Sequence, residues 1–107
     1  MKWVLVLDDE RSLDQIPIPE ELKKLTIVLA KSYYDAVDLC VYIDYSPEFI
    51  SFDHDLGSEE SGLDFAKWLR GFYDYLEAPP AYQVHSSNPD GAKNIIAFME
   101  SWKKSIL

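Results

Sequence analysis

The chain has one cysteine, four glycines, and only ten basic residues against nineteen acidic ones in 107 positions. Each scarcity excludes something. The single Cys40 has no intrachain disulfide partner, so the fold must rest on its core, and a reducing, cytoplasmic setting is expected. Cys40 lies in an apolar helical pattern, which predicts a buried structural thiol rather than a nucleophile. With a formal net charge of -9 and no basic stripe, the chain lacks the means to neutralise a line of phosphates. Extended nucleic-acid binding is therefore not expected, whereas a small phosphorylated ligand or an RNA end remains compatible. No apolar run is long enough to cross a bilayer. The opening Met1-Lys2-Trp3-Val4-Leu5 runs into acids without the small-residue cleavage site of a signal peptide.

What is present is apolar and aromatic material for one core. Hydrophobic residues make up 48% of the chain, and its length suits a single domain spanning 1–107. Lys2 to Leu7 reads as a continuous apolar strand, the pattern of a sheet covered on both faces. Ser12 to Pro19 reads as loop, with Pro17 and Pro19 blocking regular structure. A second strand is predicted over Leu25 to Ala30, a helix over Tyr33 to Tyr45, and a third strand over Phe49 to Asp53. Ser61 to Leu76 is the clearest helix: Ser61 caps it, Asp64 three residues on completes a capping box, and Leu63, Ala66, Leu69, Tyr73 and Leu76 mark its inner stripe. A fourth strand, Ala81 to His85, precedes a last helix with Asn88 as cap and Pro89 at its first position. Trp3, Trp68 and Trp102 are read as core.

Strands alternating with helices predict an α/β fold with a parallel sheet, in the order 2-1-3-4. In such sheets ligands bind beyond the carboxyl ends of the strands. The unusual polar residues all fall there. Asp8, Asp9 and Arg11 follow the first strand; Asp53, His54 and Asp55 follow the third; His85, Ser86, Ser87 and Asn88 follow the fourth. The order 2-1-3-4 makes these three strands neighbours, so the clusters should share one pocket. Carboxylates of Asp8, Asp9, Asp53 and Asp55 in one pocket repel unless a cation or shared protons intervene. Hard oxygen ligands suit Mg²⁺ or Mn²⁺. Arg11 suits a phosphate, and the last helix start with Ser86, Ser87 and Asn88 offers a second anion site. His85 and His54 suit general acid–base work. Simpler roles exist for each cluster: a strand end, a solvated turn, a core histidine bonded to backbone.

Four stretches, Leu7-Asp8-Asp9-Glu10-Arg11, Ser51-Phe52-Asp53-His54-Asp55-Leu56-Gly57, Gly62-Leu63-Asp64 and His85-Ser86-Ser87-Asn88-Pro89, together resemble the cyclic-phosphate processing receiver domains, divergent relatives of two-component receivers. The resemblance implies a small receiver-like (flavodoxin-like) three-layer sandwich that lacks the fifth strand–helix unit. It implies an active site of Asp8, Asp9, Arg11, Asp53, His54, Asp55, His85 and Ser86. Ordinary receivers carry a Lys after a fifth strand; only one helix's length follows Pro89 here, so a phosphorelay is not expected. The two added histidines point to hydrolysis. The expected function is a metal-dependent phosphoesterase acting on a cyclic phosphate, such as a 2′,3′-cyclic phosphate of an RNA end or a nucleotide derivative. An Asp53 nucleophile is a variant of it. The alternative is a non-catalytic pseudo-receiver that binds a phosphorylated ligand or a protein partner.

Overall fold

The computed structural model describes residues 2–106. Four strands, β1 (Trp3–Leu7), β2 (Thr26–Ala30), β3 (Phe49–Phe52) and β4 (Ala81–Val84), form one sheet in the order β2-β1-β3-β4. All three pairings are parallel. Three helices complete the fold: α1 (Tyr33–Tyr42), α2 (Gly62–Phe72) and α3 (Pro89–Ile106). This is the receiver-like architecture expected from the order of elements. No helix among the described residues is long and apolar enough to cross a membrane.

The two faces of β1 are buried against different material. Trp3, Leu5 and Leu7 point to the helices and join Ile50, Phe52, Phe65, Leu69, Ile95, Met99 and Trp102 in the main core. Val4 and Val6 point the other way and meet Phe49, Ile16, Ile18, Leu22 and Leu25. That second face is covered by the β1–β2 connection, which holds two 3-10 helices, Leu13–Gln15 and Glu20–Leu22, in place of an α-helix. Pro17 and Pro19 explain the substitution, because each removes a backbone donor that a longer helix needs. The third layer of the sandwich is therefore thin and irregular.

Helix boundaries follow local chemistry. The Ser61 hydroxyl accepts from the Asp64 N–H, while the Asp64 carboxylate accepts from the Ser61 N–H at 2.8 Å, the reciprocal pair that starts α2. Asn88 Oδ1 accepts from the Gly91 N–H at 3.0 Å and so caps α3. Two helices stop earlier than their apolar pattern predicts: α1 ends at Tyr42, and α2 at Phe72 rather than Leu76. Ile43 and Leu76 still pack against the core from the following turns, so apolar periodicity outlasts the helix. Cys40 is buried, and burial pushes its thiol up to about 11. Trp3 and Trp102 are core; Trp68 is half-buried, stacked between Phe65 and Phe72.

Candidate active site

Asp8, Asp53 and His85 are each the first residue beyond a strand, and the sheet still holds their backbones. The Asp8 N–H donates to Ala30 O at 3.0 Å, the Asp53 N–H to Leu7 O at 3.0 Å, and the His85 N–H to Phe52 O at 2.9 Å. Each ladder therefore runs one residue past its strand. Val6 pairs with Ser51 and Ser51 with Gln83; with a side-chain period of two, Asp8, Asp53 and His85 emerge on one face. Ligand atoms of these three lie within 4.8 Å of one another, making an acidic and histidine cluster that a metal ion can in principle share.

Asp8 is fully buried and has partners on both oxygens. Oδ1 accepts from the backbone N–H groups of Glu10 and Arg11, both at 2.8 Å. Oδ2 accepts from Arg11 Nη1 and from His85 Nε2, both at 2.9 Å. Burial alone raises its pKa, but the Arg11 and Glu10 amides, the guanidinium and the imidazole together outweigh it and hold the carboxyl at about 2. Asp53 is also buried but is shifted the other way. Burial raises its pKa, repulsion from Asp8 adds to this, and Ser86, His85 and Arg11 only partly offset it. Arg11 Nη1 lies 3.8 Å from Asp53 Oδ2. Its guanidinium thus serves a saturated carboxylate and an unsaturated one together.

Beside this pair opens a cavity of about 280 Å³, walled by Asp9, Glu10, Arg11, Asp53, Asp55 and Ser87, with Gly57. Gly57 has φ +68°, and a Cβ there would come within 2.7 Å of Asp9 Oδ2. The left-handed turn favours glycine here, and an added side chain would also displace the Asp9 carboxylate. Asp9 faces this cavity and stands outside the close Asp8–Asp53–His85 group. Asp8 still continues the β1 ladder through its N–H bond to Ala30 O, whereas Asp9 lies in the bend that follows.

The second histidine is placed elsewhere. His54 Nδ1 pairs with Asp55 Oδ1 at 3.0 Å, and its ring packs on Gly91, where a Cβ would lie 2.3 Å away. Asn88 Nδ2 reaches the same Asp55 carboxylate at 3.3 Å. The bond from His54, then that from Asn88, lowers the Asp55 pKa. Among the described residues His54 and His85 share no hydrogen bond; each answers to a different carboxylate. Ser86 Oγ accepts from the Asn88 N–H at 3.1 Å.

Two residues with no expected role belong to the site. Ser51 Oγ lies 2.6 Å from His85 Nδ1, and Gln83 Nε2 donates to Ser51 Oγ at 2.9 Å. Their sequence signal is polarity inside predicted strands, two residues before Asp53 and two before His85.

The chain is similar in fold to receiver domains. It aligns with the response regulator TrrA of Thermotoga maritima, solved with Mg²⁺ and BeF, at 18% identity and a TM-score of 0.64, covering 92% of this chain and 81% of that one. It aligns with NtrX of Brucella abortus at 19% identity and a TM-score of 0.54, covering 99% and 28%. A fusion built on a yeast trimeric coiled coil aligns at 20% identity and a TM-score of 0.61, covering 91% and 61%. The chain thus spans less than two thirds of the latter two. No curated protein matches it. Residues 3–101 match the model of the cyclic-phosphate processing receiver domain, and the chain belongs to that family.

Proposed function

We propose that the chain is a phosphoesterase that opens a cyclic phosphodiester, of the kind found as a 2′,3′-cyclic phosphate on an RNA end or a nucleotide, in the cavity between Arg11 and Asp53. The observation that carries this reading is the opposite tuning of two neighbouring carboxyls, Asp8 held at about 2 and Asp53 raised, with one guanidinium between them. Carboxyl pairs driven apart by environment mark acid–base assignments.

Charge favours a diester. Asp9, Glu10, Asp53 and Asp55 face the cavity against Arg11 alone. A cyclic diester brings one negative charge, a phosphomonoester nearly two. Arg11 would hold a non-bridging phosphate oxygen with guanidinium protons not used on Asp8, and Ser87 would donate to another. Asp53 would take the proton from water as the water oxygen bonds to phosphorus and the ring P–O bond breaks. The departing ring oxygen would take a proton from solvent, while His54, bonded through Nδ1 to Asp55, would steady that carboxylate at the cavity wall. His85 would orient Asp8, since both of its nitrogens already have partners.

Among the described residues the ligand atoms close enough to share one ion are those of Asp8, Asp53 and His85. A divalent ion such as Mg²⁺ or Mn²⁺ would take Asp53 from this group, with Asp9 and Asp55 moving in from the cavity wall, and would supply positive charge against the phosphate. Asp8 suits that task poorly, because four donors already saturate it.

A second reading, a non-catalytic module that binds a phosphorylated ligand, is favoured by the saturation of Asp8 and His85. One experiment separates them. Nucleoside 2′,3′-cyclic phosphates are incubated with the protein with Mg²⁺, with Mn²⁺ and with a chelator, and products are read by ³¹P NMR. Conversion to a monoester, lost in Asp53→Asn, supports the hydrolase. Ligand-dependent thermal stabilisation without product supports the binding module.

A further inference from the structure

We propose that Ser51 and Gln83 are positioning residues that close a ring of hydrogen bonds and hold the Arg11 segment over the cavity. The ring starts at Asp8, which binds both the backbone N–H and the guanidinium of Arg11. The chain then runs from Arg11 through the thin third layer to Pro17. There Gln83 Nε2 donates to the Pro17 carbonyl at 2.6 Å. Gln83 also donates to Ser51 Oγ, Ser51 meets His85 Nδ1, and His85 Nε2 returns to Asp8. One continuous path thus pins the Arg11–Pro17 segment at both ends.

With His85 neutral, one arrangement of protons satisfies every member. The Asp8 carboxylate only accepts, so His85 carries its proton on Nε2. Its Nδ1 then accepts from the Ser51 hydroxyl, whose oxygen accepts from one Gln83 amide proton. The other Gln83 proton goes to Pro17 O. Each bond sets the direction of the next, and Ser51, fully buried, has no water to take over if one fails. Regular structure does not do this job: between Arg11 and Pro17 the segment has a single short 3-10 turn, Leu13–Gln15, and a connection of that kind is free to shift unless tied. Ser51 and Gln83 are partners in the β3–β4 register, so the clamp stands on the rigid sheet.

The inference rests on Arg11 as the anion-binding group, and its test separates the two ideas. Full-length wild type, Ser51→Ala and Gln83→Leu are compared by imidazole ¹⁵N NMR and by calorimetric titration with a nucleoside 2′,3′-cyclic phosphate. Gln83 sits at a half-buried position on the edge strand, where leucine should leave the fold intact, as circular dichroism will check. Wild type should show His85 protonated at Nε2 only. Ser51→Ala should lose that single tautomer. Both variants should bind roughly tenfold more weakly, the scale of one lost buried hydrogen bond, and where turnover is measurable the loss should fall on KM more than on kcat. Unchanged His85 shifts in Ser51→Ala together with unchanged affinity in both variants overturns the clamp. A wild type that never turns over, yet shows these shifts and affinity losses, removes the hydrolase and leaves the clamp standing.

Discussion

His85 at the end of β4 donates to Asp8 at the end of β1 across 2.9 Å, although β3 lies between the two strands. A parallel ladder ties only adjacent strands. Here a side chain ties β1 to β4 across β3, close to Asp53 at the end of the strand it crosses. The imidazole therefore braces the sheet end on which the cluster is built, and it keeps Asp8 ionised next to Asp53. Both ring nitrogens are engaged and the side chain is only 5% exposed, which supports the proposed role of His85 in orienting Asp8.

His85→Ala should therefore lower stability as well as turnover. Asp8 loses one of four donors and Ser51 loses its acceptor, a cost of about 1–3 kcal/mol for the buried groups left short. Urea melts and ³¹P turnover assays on the same preparation check it. A fully stable variant that has lost turnover would reassign His85 to direct proton transfer.

Asp8 should govern the acid limb of stability. Its folded pKa of about 2 lies below the ordinary 3.8, so the native state binds its proton less tightly than the unfolded chain. That contribution is complete above about pH 4 and is lost as pH falls toward 2. Asp53, shifted upward, works in the opposite sense and partly offsets it at neutral pH. Asp8→Asn should cost about 3 kcal/mol at pH 7, the scale for removing one member of a buried ion pair. Its melting temperature should fall less steeply than wild type over that window, which calorimetry at several pH values reads directly.

Gly62→Ala is predicted to be among the most damaging small substitutions in the chain. A Cβ at Gly62 would stand 1.9 Å from the Asp53 carbonyl oxygen and 2.9 Å from its carbon. These are backbone atoms at the end of β3, which cannot swing aside as a side chain would. Either α2 retreats from the sheet, or the Asp53–His54 peptide moves and takes the site with it. Both outcomes lower the melting temperature and turnover together. By contrast Gly71, with nothing within 4 Å of an added Cβ, should accept alanine with a small gain in helix stability.

Much of this was legible in the residues. The continuous apolar run at Trp3–Leu7, the capping box at Ser61 and Asp64, and the Asn88-Pro89 start report local chemistry, and they place β1, α2 and α3. The rule that ligands gather beyond parallel strand ends was enough to bring Asp8, Asp53, His85 and Arg11 together. The division of labour among them was not legible. Adjacent acids such as Asp8 and Asp9 look equivalent in sequence, yet the β1 ladder extends to Asp8 and buries it, while Asp9 falls in the bend beyond and lines the cavity. His54 and His85 look like a pair, but the ring of His54 turns onto Gly91 and answers to Asp55. Ser51 and Gln83 read as filler until the register sets them side by side.

The pH dependence of turnover should be carried by Asp53 and be movable from both sides. In the proposed reaction Asp53 takes the proton from water and so works ionised, and on that reading kcat/KM should rise through an acidic limb above the usual aspartate range. Burial sets that shift first and the charge of Asp8 adds to it, while Arg11 opposes it. Arg11→Leu removes the opposing cation, so the limb should move to higher pH while affinity falls. Asp8→Asn removes the repelling anion, so the limb should move to lower pH, although this variant is less stable. Arg11→Lys keeps the charge and loses the planar fork; its limb should stay near that of wild type while KM rises. Asp53→Asn should abolish the limb and cut turnover by roughly 10²–10⁴, the range for a lost general acid–base group. The opposite signs make the set discriminating, because a general loss of structure cannot move one profile up and the other down. Profiles of kcat/KM for the four variants, with carboxyl ¹³C titration of Asp53 as an activity-free check, decide it. An acidic limb at the same pH in Arg11→Leu and Asp8→Asn would take the titrating role away from Asp53.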